Sequence, residues 1–405
     1  MTSLARPARE PSLGLAPARR LRVAHIVTKL AAGAGGITLR GAMAADPARY
    51  ASTILAAEGG SLVQRAKDAG IEVVELRHMP ITRGVYPRSD YVGFRELAAH
   101  LARHEYDLVH THSAKAGGIG RLAARRAGVP VVVHSFHGFP FHEFQSPAAR
   151  HALISIERRL ARMTDYFLTD GTAVAAEAIR LKIAPPDRIR AISSPIDAVA
   201  RVSPARRADA RRRLGLSAES KVVGTAARLD GQKSPLDMVK AIAALGRDDV
   251  VMVWIGDGHL RAETEKLIHR LGIEHRFRLA GERSDVPTLL PAFDVFAMSS
   301  LYEGLPCAVV EAMSCGVPVV ATAVNSVHEI VISGRTGLLA RPGDPASLSR
   351  ALGYVLDHPA EAARMANAAR AHIGDRFTPA VLARDMAEAY EVALRAAHPR
   401  AVVAA

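Results

Sequence analysis

Twice along this chain, short runs rich in β-branched residues alternate with stretches of helical periodicity, and no other feature limits the possible folds as strongly. The first series holds RVAHIV (22–27), ASTILAA (51–57), IEVVEL (71–76), DLVHTH (107–112), VPVVVHS (129–135) and DYFLTD (165–170). The second holds KVVGTAA (221–227), VVMVWIG (250–256), FRLAG (277–281), VFAMS (295–299) and VPVVAT (317–322). Patterns such as ITLRGAMAAD and RAETEKLIHRLG lie between most of these runs. Apolar strands separated by helix-length segments give parallel sheets covered on both faces, because a parallel crossover requires such a connection. Two series predict two doubly wound α/β domains, and 405 residues suit two or three cores better than one.

Periodicity lapses in SSPIDAVARVSPARRADARRRLG, which puts the seam around residues 195–215. The expected layout is a frayed tail over 1–20, one domain over 21–200 and a second over 201–380. A terminal helix and tail over 381–405 follow, with the first domain as a surface for the helix to pack back on. In open α/β sheets ligands bind beyond the carboxyl ends of the strands, so the cleft between the domains is the expected substrate site.

The net charge of +13 is concentrated in residues 1–200, which hold 27 Lys+Arg against 17 Asp+Glu. Such a field suits phosphates, nucleic acid or an anionic membrane surface. An arginine-rich composition with solvated side chains explains it as well. The arginine run RRADARRRLG carries no interleaved aromatic residue, which disfavours a single-stranded nucleic-acid partner. Cys307 and Cys315 have no CxxC spacing, so neither a zinc site nor a disulfide framework is expected, and a reducing compartment fits. The opening MTSLARPAREPSLGLAPARR lacks the apolar core of a signal peptide, and AMSCGVPVVATAVNSV is broken by Gly, Pro and polar residues. The expectation is a cytoplasmic chain whose membrane contact is peripheral, on the inner face.

The segment SSLYEGLPCAVVEAM (299–313) raises a sharper question, because Glu311 is the one charge between Leu305 and Gly316. Pro306 suits the first position of a helix and Gly316-Val317-Pro318 supplies its stop, predicting a helix from Pro306 to Cys315. Glu303 then lies on the preceding loop, and Glu311 about five residues, or ~7.5 Å, inside the helix. An ionised carboxylate in an apolar helix is costly unless it is paired or accepts hydrogen bonds. The vicinal diol of a ribose supplies two hydroxyl donors, and the helix N-terminus beside it supplies free N–H groups for phosphate or sugar oxygens. Together these point to a sugar nucleotide. A glutamate on a wet helix face, or in an internal ion pair, remains the alternative.

The Glu303/Glu311 pair is an E-x7-E. With TAARLDGQKSP, WIGDGHLRAE, LAGERSDVPTLLPAFDVFAMSSLYEGLPCAVVEAMSCGVPVVAT, HEIVISGRTGLLARPGDPASL and RFT before the last helix, it resembles the family 4 retaining glycosyltransferases of GT-B fold. The resemblance covers nearly all of residues 21–390. It implies two Rossmann-like domains facing each other across a cleft, the first binding the acceptor and the second the nucleotide-sugar donor. By resemblance, Arg228 and Lys233 neutralise the donor diphosphate, Glu311 holds the ribose and Glu303 faces the donor sugar. The backbone of Gly304, Leu305 and Pro306 meets sugar hydroxyls and phosphate, and Gly281 to Arg283 fall where the base packs. The chain contains no D-x-D, so fixed cations and a helix terminus take the place of a metal clamp, and neither metal nor cofactor is expected.

In the first domain, Gly33, Gly35 and Gly36 of KLAAGAGGITLR let the backbone approach an anion. Glu58 after the second strand imitates a dinucleotide-fold acid, but Thr38 breaks G-x-G-x-x-G. The resemblance places Gly35 and Gly36 against donor phosphates and acceptor, and a structural turn is the competing reading. Histidines cluster at His110, His112, His134, His137 and His142. H-x-H at a strand end can ligate a metal, but no acidic or cysteine ligand has matching spacing. By resemblance His137 is the cleft histidine at the donor sugar, and Lys115 meets acceptor diphosphate. HTHSAKAG and HGFPFHE are similar to bacterial enzymes that extend polyprenyl-diphosphate-linked sugars in exopolysaccharide, capsule or O-antigen synthesis.

Two departures from the family pattern fall near the cleft: Ser194-Pro195 in place of an Asn-Gly turn, and Ala323 followed by Val-Asn-Ser-Val-His in place of an acid and a Gly-Gly loop. The expected activity is retaining, metal-independent transfer of a hexose from a UDP-sugar to a glycan hydroxyl. A GT-B sugar-nucleotide epimerase or hydrolase, or a non-catalytic basic protein binding membrane or nucleic acid, are the alternatives.

Overall fold

The computed structural model describes residues 19–31, 33–81, 86–197 and 199–397; of the tail expected over 1–20 and the helix and tail expected over 381–405, residues 1–18 and 398–405 lie outside the described residues. The first sheet comprises β1 (Leu21–Lys29), β2 (Tyr50–Ala57), β3 (Glu72–Leu76), β4 (Leu108–His112), β5 (Val131–Phe136), β6 (Tyr166–Thr169) and β7 (Ile189–Ala191), in the order β3-β2-β1-β4-β5-β6-β7. The second comprises β8 (Lys221–Ala226), β9 (Val250–Ile255), β10 (Phe277–Gly281), β11 (Val295–Met298), β12 (Val319–Thr322) and β13 (Leu338–Ala340), in the order β10-β9-β8-β11-β12-β13. Every paired ladder is parallel. Both sheets therefore reverse their strand order once, beside β1 and β8, and that is where an open α/β sheet leaves a crevice. The two edge strands β7 and β13 are missing from the runs read in the sequence, because three residues are too few to show a period.

Helices α1 (Ala34–Ala44), α2 (Val63–Asp68), α3 (Pro87–Arg103), α4 (Ala114–Ala127), α5 (Pro147–Ala161) and α6 (Thr172–Arg180) cover the first sheet. The second is covered by α7 (Pro204–Arg213), α8 (Pro235–Leu245), α9 (Arg261–Arg270), α10 (Val286–Leu289), α11 (Cys307–Cys315), α12 (Pro345–Asp357) and α13 (Pro359–Ile373). The Arg-rich seam is resolved by α7. Its Ala210, with Leu216 just beyond, enters the second core, while Arg207 and Arg211 grip the Asp294 carboxylate. RRADARRRLG is thus a helix of the second domain, and the crossing chain is the stretch before Pro204.

The last helix, α14 (Pro379–Ala397), leaves the second domain and returns to the first. Leu382, Met386, Ala389, Tyr390 and Ala393 recur at helical spacing and pack on Val23, Leu108, Val131, Val133 and Tyr166. Ion pairs Arg190–Glu388 and Arg49–Glu391, each 2.6 Å, flank that apolar stripe. The chain therefore crosses between the sheets twice, and Ile196 N–H donates to Phe377 O at 3.2 Å where the two crossings meet.

Candidate active site

β8 and β11 are neighbours at the switch point of the second sheet, so the loops that follow them lie side by side. Leu301 N–H donates to Gln232 O at 2.8 Å, Ser299 Oγ to Lys233 O at 2.8 Å, and Gln232 Nε2 to Tyr302 O at 3.1 Å. Those bonds bring the basic pair and the first glutamate together. Lys233 Nζ lies 2.5 Å from Glu303 Oε1, and Gln232 Nε2 is 3.3 Å from Glu303 Oε2. Glu303 is 6% exposed, so its charge is buried but paired. Arg228 is exposed and turns back to Asp230 at 2.9 Å.

Pro306 occupies the N-cap of α11 with extended backbone (ψ 105°), so the helix begins one residue later than the expected Pro306, and Gly316 ends it at φ 90°. Glu311, partly buried on this helix, makes no hydrogen bond or ion pair among the described residues. Burial pushes it up to about 7, with Arg40 pulling down and Asp197 pushing up more weakly. The ion-pair alternative finds no partner for Glu311 among the described residues, whereas Cys307, Ala308, Glu311 and Ser314 are the part-exposed positions of α11, so a glutamate on the open face of the helix still fits. Gly281 and Arg283 lie at the carboxyl end of the edge strand β10, where Arg283 pairs with Asp285 at 2.7 Å. Among the described residues none of their hydrogen bonds reaches α11.

In the first domain, Gly33 is the N-cap of α1 at φ 79°, and Gly35 and Gly36 form the first turn. A Cβ on Gly35 would sit 2.6 Å from Lys29 O, so this glycine lets α1 seat against the end of β1. Gly36 faces Arg40 instead. Lys115 is held by both Asp90 oxygens, at 2.8 and 2.9 Å, so an anionic acceptor would have to compete for it. His137 follows β5 with Nδ1 3.0 and 3.1 Å from the Asp170 oxygens and Nε2 3.1 Å from His112 Nδ1. His112 Nε2 is in turn 3.4 Å from His25 Nδ1. His110 is bound by Tyr390 Oη and Ser135 Oγ, both at 2.7 Å, and His134 Nδ1 by Thr111 Oγ1 at 2.8 Å.

Burial lowers His25 to about 4 and holds His110, His112 and His134 well below the usual histidine range, so these rings are neutral at pH 7. His25, His110 and His112 offer ring nitrogens within 4.8 Å of one another, close enough to share a metal ion. Both nitrogens of His110 and of His112 already have hydrogen-bond partners, however, so the cluster is built as a polar network.

The two domains touch through these same loops. A Cβ on Gly304 would lie 3.0 Å from Gly138 N and from His137 C, so the two backbones are in contact and a side chain there would push them apart by a few tenths of an ångström. His142 stacks on Tyr302 with ring centroids 4.1 Å apart. The Glu329 oxygens accept from Thr172 N–H and Ala173 N–H, each at 3.0 Å, so a carboxylate of the second domain caps α6 of the first. The N-cap of α6, Gly171, has no side chain to do so. The departures from the family pattern lie beside this contact, each bonded within its own domain. Asn325 Oδ1 accepts from Glu303 N–H at 3.0 Å, and Ser194 Oγ donates to Asp170 at 3.2 Å.

His25, Arg40, Asp170 and Glu329 are not singled out from the sequence, and Asn325 only as part of a departure from the family pattern. Only Asp170 carried a signal, as a carboxylate at the carboxyl end of a strand run. A cavity of about 120 Å³ lined by Asp170, Leu305, Glu329 and Phe377 remains between the domains. None of Arg228, Lys233, Glu303 and Glu311 lines it, so it is separate from the expected donor position.

Residues 206–372 match the family described as glycosyl transferases group 1, and residues 32–195 the glycosyl transferase 4-like domain. A D-inositol 3-phosphate glycosyltransferase of Streptomyces scabiei is 33% identical over 319 residues, covering 73% of this chain and 70% of its own. The chain belongs to this glycosyltransferase family. The glycosyltransferase is also 29% identical over 347 residues to the UDP-Gal:alpha-D-GlcNAc-diphosphoundecaprenol alpha-1,3-galactosyltransferase of Escherichia coli, covering 84% of this chain and 88% of that one. In fold it is similar to Anabaena Alr3699/HepE solved with UDP and glucose, at TM-score 0.79 and 24% identity over 92% of this chain and 100% of that chain. Two open parallel sheets facing each other across a cleft make this glycosyltransferase a GT-B enzyme.

Proposed function

We propose that this glycosyltransferase moves a hexose, with retention of configuration and without a metal ion, from a UDP-sugar to a hydroxyl of a polyprenyl-diphosphate-linked glycan. The acceptor would be presented at the inner face of the cytoplasmic membrane. The observation that carries the reading is the meeting of the Lys233–Glu303 pair, the N-terminus of α11 and the unpartnered Glu311 with the His137–Gly138 backbone across Gly304. A donor bound there has ribose on Glu311, diphosphate against the α11 amides, Lys233 and Arg228, and its sugar between Glu303 and His137. The amides and fixed cations stabilise the departing diphosphate where its charge develops.

The acceptor hydroxyl then attacks the anomeric carbon from the face the diphosphate leaves, and a leaving phosphate oxygen takes its proton. A bond to the acceptor oxygen replaces the bond to phosphate, and no side chain need act as a strong base. Closure of the domains excludes water and limits hydrolysis. The Escherichia coli relative, a UDP-Gal:alpha-D-GlcNAc-diphosphoundecaprenol galactosyltransferase, and the Anabaena protein, solved with UDP and glucose, support a UDP-sugar donor, and the former a lipid-diphosphate acceptor. A basic first domain without a membrane-crossing helix among the described residues fits an acceptor reached from the membrane surface.

The test is calorimetric titration with UDP in EDTA, followed by UDP-sugars with a polyprenyl-diphosphate-linked GlcNAc acceptor. Binding that is lost in Glu311→Ala and transfer that persists in EDTA are expected. Donor consumed equally without acceptor would instead favour a sugar-nucleotide hydrolase or epimerase.

A further inference from the structure

Asp170 has no role in the proposed chemistry, yet it is 5% exposed and joins three parts of the cleft. Its carboxylate receives His137 Nδ1 at 3.0 and 3.1 Å and the Ser194 hydroxyl of the interdomain crossing at 3.2 Å, and its own turn leads into α6, which Glu329 caps. Beyond His137 the contacts continue inward through His112 to His25, whose Nε2 is buried without a partner among the described residues.

His25 and His112 are neutral, so each has one N–H and one acceptor nitrogen and the hydrogen bonds between the rings must run in one direction. At the outer end the Asp170 oxygens lie in place to accept from His137 Nδ1–H. At the inner end an unpaired buried acceptor is tolerated better than an unpaired N–H, which leaves His25 Nε2 without its proton. Both ends select the same order: His25 Nδ1–H donates to His112 Nε2, His112 Nδ1–H to His137 Nε2, and His137 Nδ1–H to Asp170.

We propose that Asp170 is a positioning residue of this glycosyltransferase, fixing His137 as its Nδ1–H tautomer so that the ring is held from both sides and the His137–Gly138 backbone is set against Gly304. Both ring nitrogens are then engaged inside the first domain, and what His137 offers the sugar is its main chain and a ring edge. Ser194 extends the same anchor to the interdomain crossing. The idea rests on the reading that the donor sugar lies between Glu303 and His137.

Two measurements on the full chain test it. Imidazole nitrogen resonances of the isotope-labelled wild type, with His137 assigned by comparison with His137→Gln, should show His137 and His112 protonated at Nδ1. Asp170→Asn keeps the side-chain volume and should blur or reverse the His137 tautomer. It should also lower transfer about 10²-fold, as a small misplacement of a positioned group does, while UDP affinity stays within about twofold because UDP lacks the sugar. An Nε2–H His137 in the wild type, or an Asp170→Asn enzyme of unchanged turnover, overturns the proposal. If wild-type UDP binding fails, the donor assignment falls, and the tautomer still reports on Asp170.

Discussion

Glu311 should make donor affinity depend on pH in a direction the structure fixes. Burial raises its carboxyl from 4.5 to about 7 in the unliganded protein, and a ribose diol donates both hydroxyls far more strongly to the ionised form than to the protonated one. With a value of about 7, the group is about 9% ionised at pH 6 and about 91% at pH 8, so the affinity should be roughly tenfold weaker at the lower pH. A UDP-hexose is the right probe, because its diphosphate is esterified at both ends and does not titrate in this interval.

The same shift governs stability with the opposite benefit. The folded value lies above the unfolded one, so the protein carries no penalty below about pH 4.5 and loses up to ~3 kcal/mol as pH rises through 7. Glu311→Gln should therefore raise Tm at pH 8 by several degrees, at about 2–4 °C per kcal/mol, and leave it unchanged at pH 4.5. Calorimetric titration and scanning calorimetry read the two effects separately. A donor Kd flat between pH 6 and 8, or a pH dependence that survives Glu311→Gln, would refute the reasoning.

Further outcomes follow from the contacts between the domains. Glu329→Gln removes a charged cap worth about 0.5–2 kcal/mol, so the closed form should lose about 2–30-fold in population, seen as a larger radius of gyration in solution scattering and lower kcat. Gly304→Ala should cut transfer about 10²-fold, because its Cβ would press on Gly138 N and His137 C at 3.0 Å; an enzyme of normal rate would mean that this contact is absent during turnover. Lys233→Ala leaves Glu303 buried without its ammonium partner and should lower Tm, whereas Arg228→Ala, at an exposed position, should leave Tm unchanged while both weaken UDP binding.

Much of the fold is legible in the sequence because buried parallel strands tend to be apolar along their whole length, as VVMVWI is. The three-residue edge strands escape notice, since a period needs length. The helical nature of RRADARRRLG is hidden because its anchoring partner, Asp294, is remote in sequence. The E-x7-E spacing displays Glu303 and Glu311 for the opposite reason, as both are set by one loop and one helix.

The sequence by itself determined two α/β domains, the helix that carries Glu311, and the basic pair on the loop after β8, because each follows from local periodicity or from residues a few positions apart. Only the tertiary structure decided that Lys233 neutralises Glu303, that Glu329 caps a helix of the other domain, and that Asp170 links His137 to Ser194. Those partners lie between 24 and 157 residues apart. Their pairing is set by which strand ends the two sheets bring to the cleft, and no local propensity encodes that.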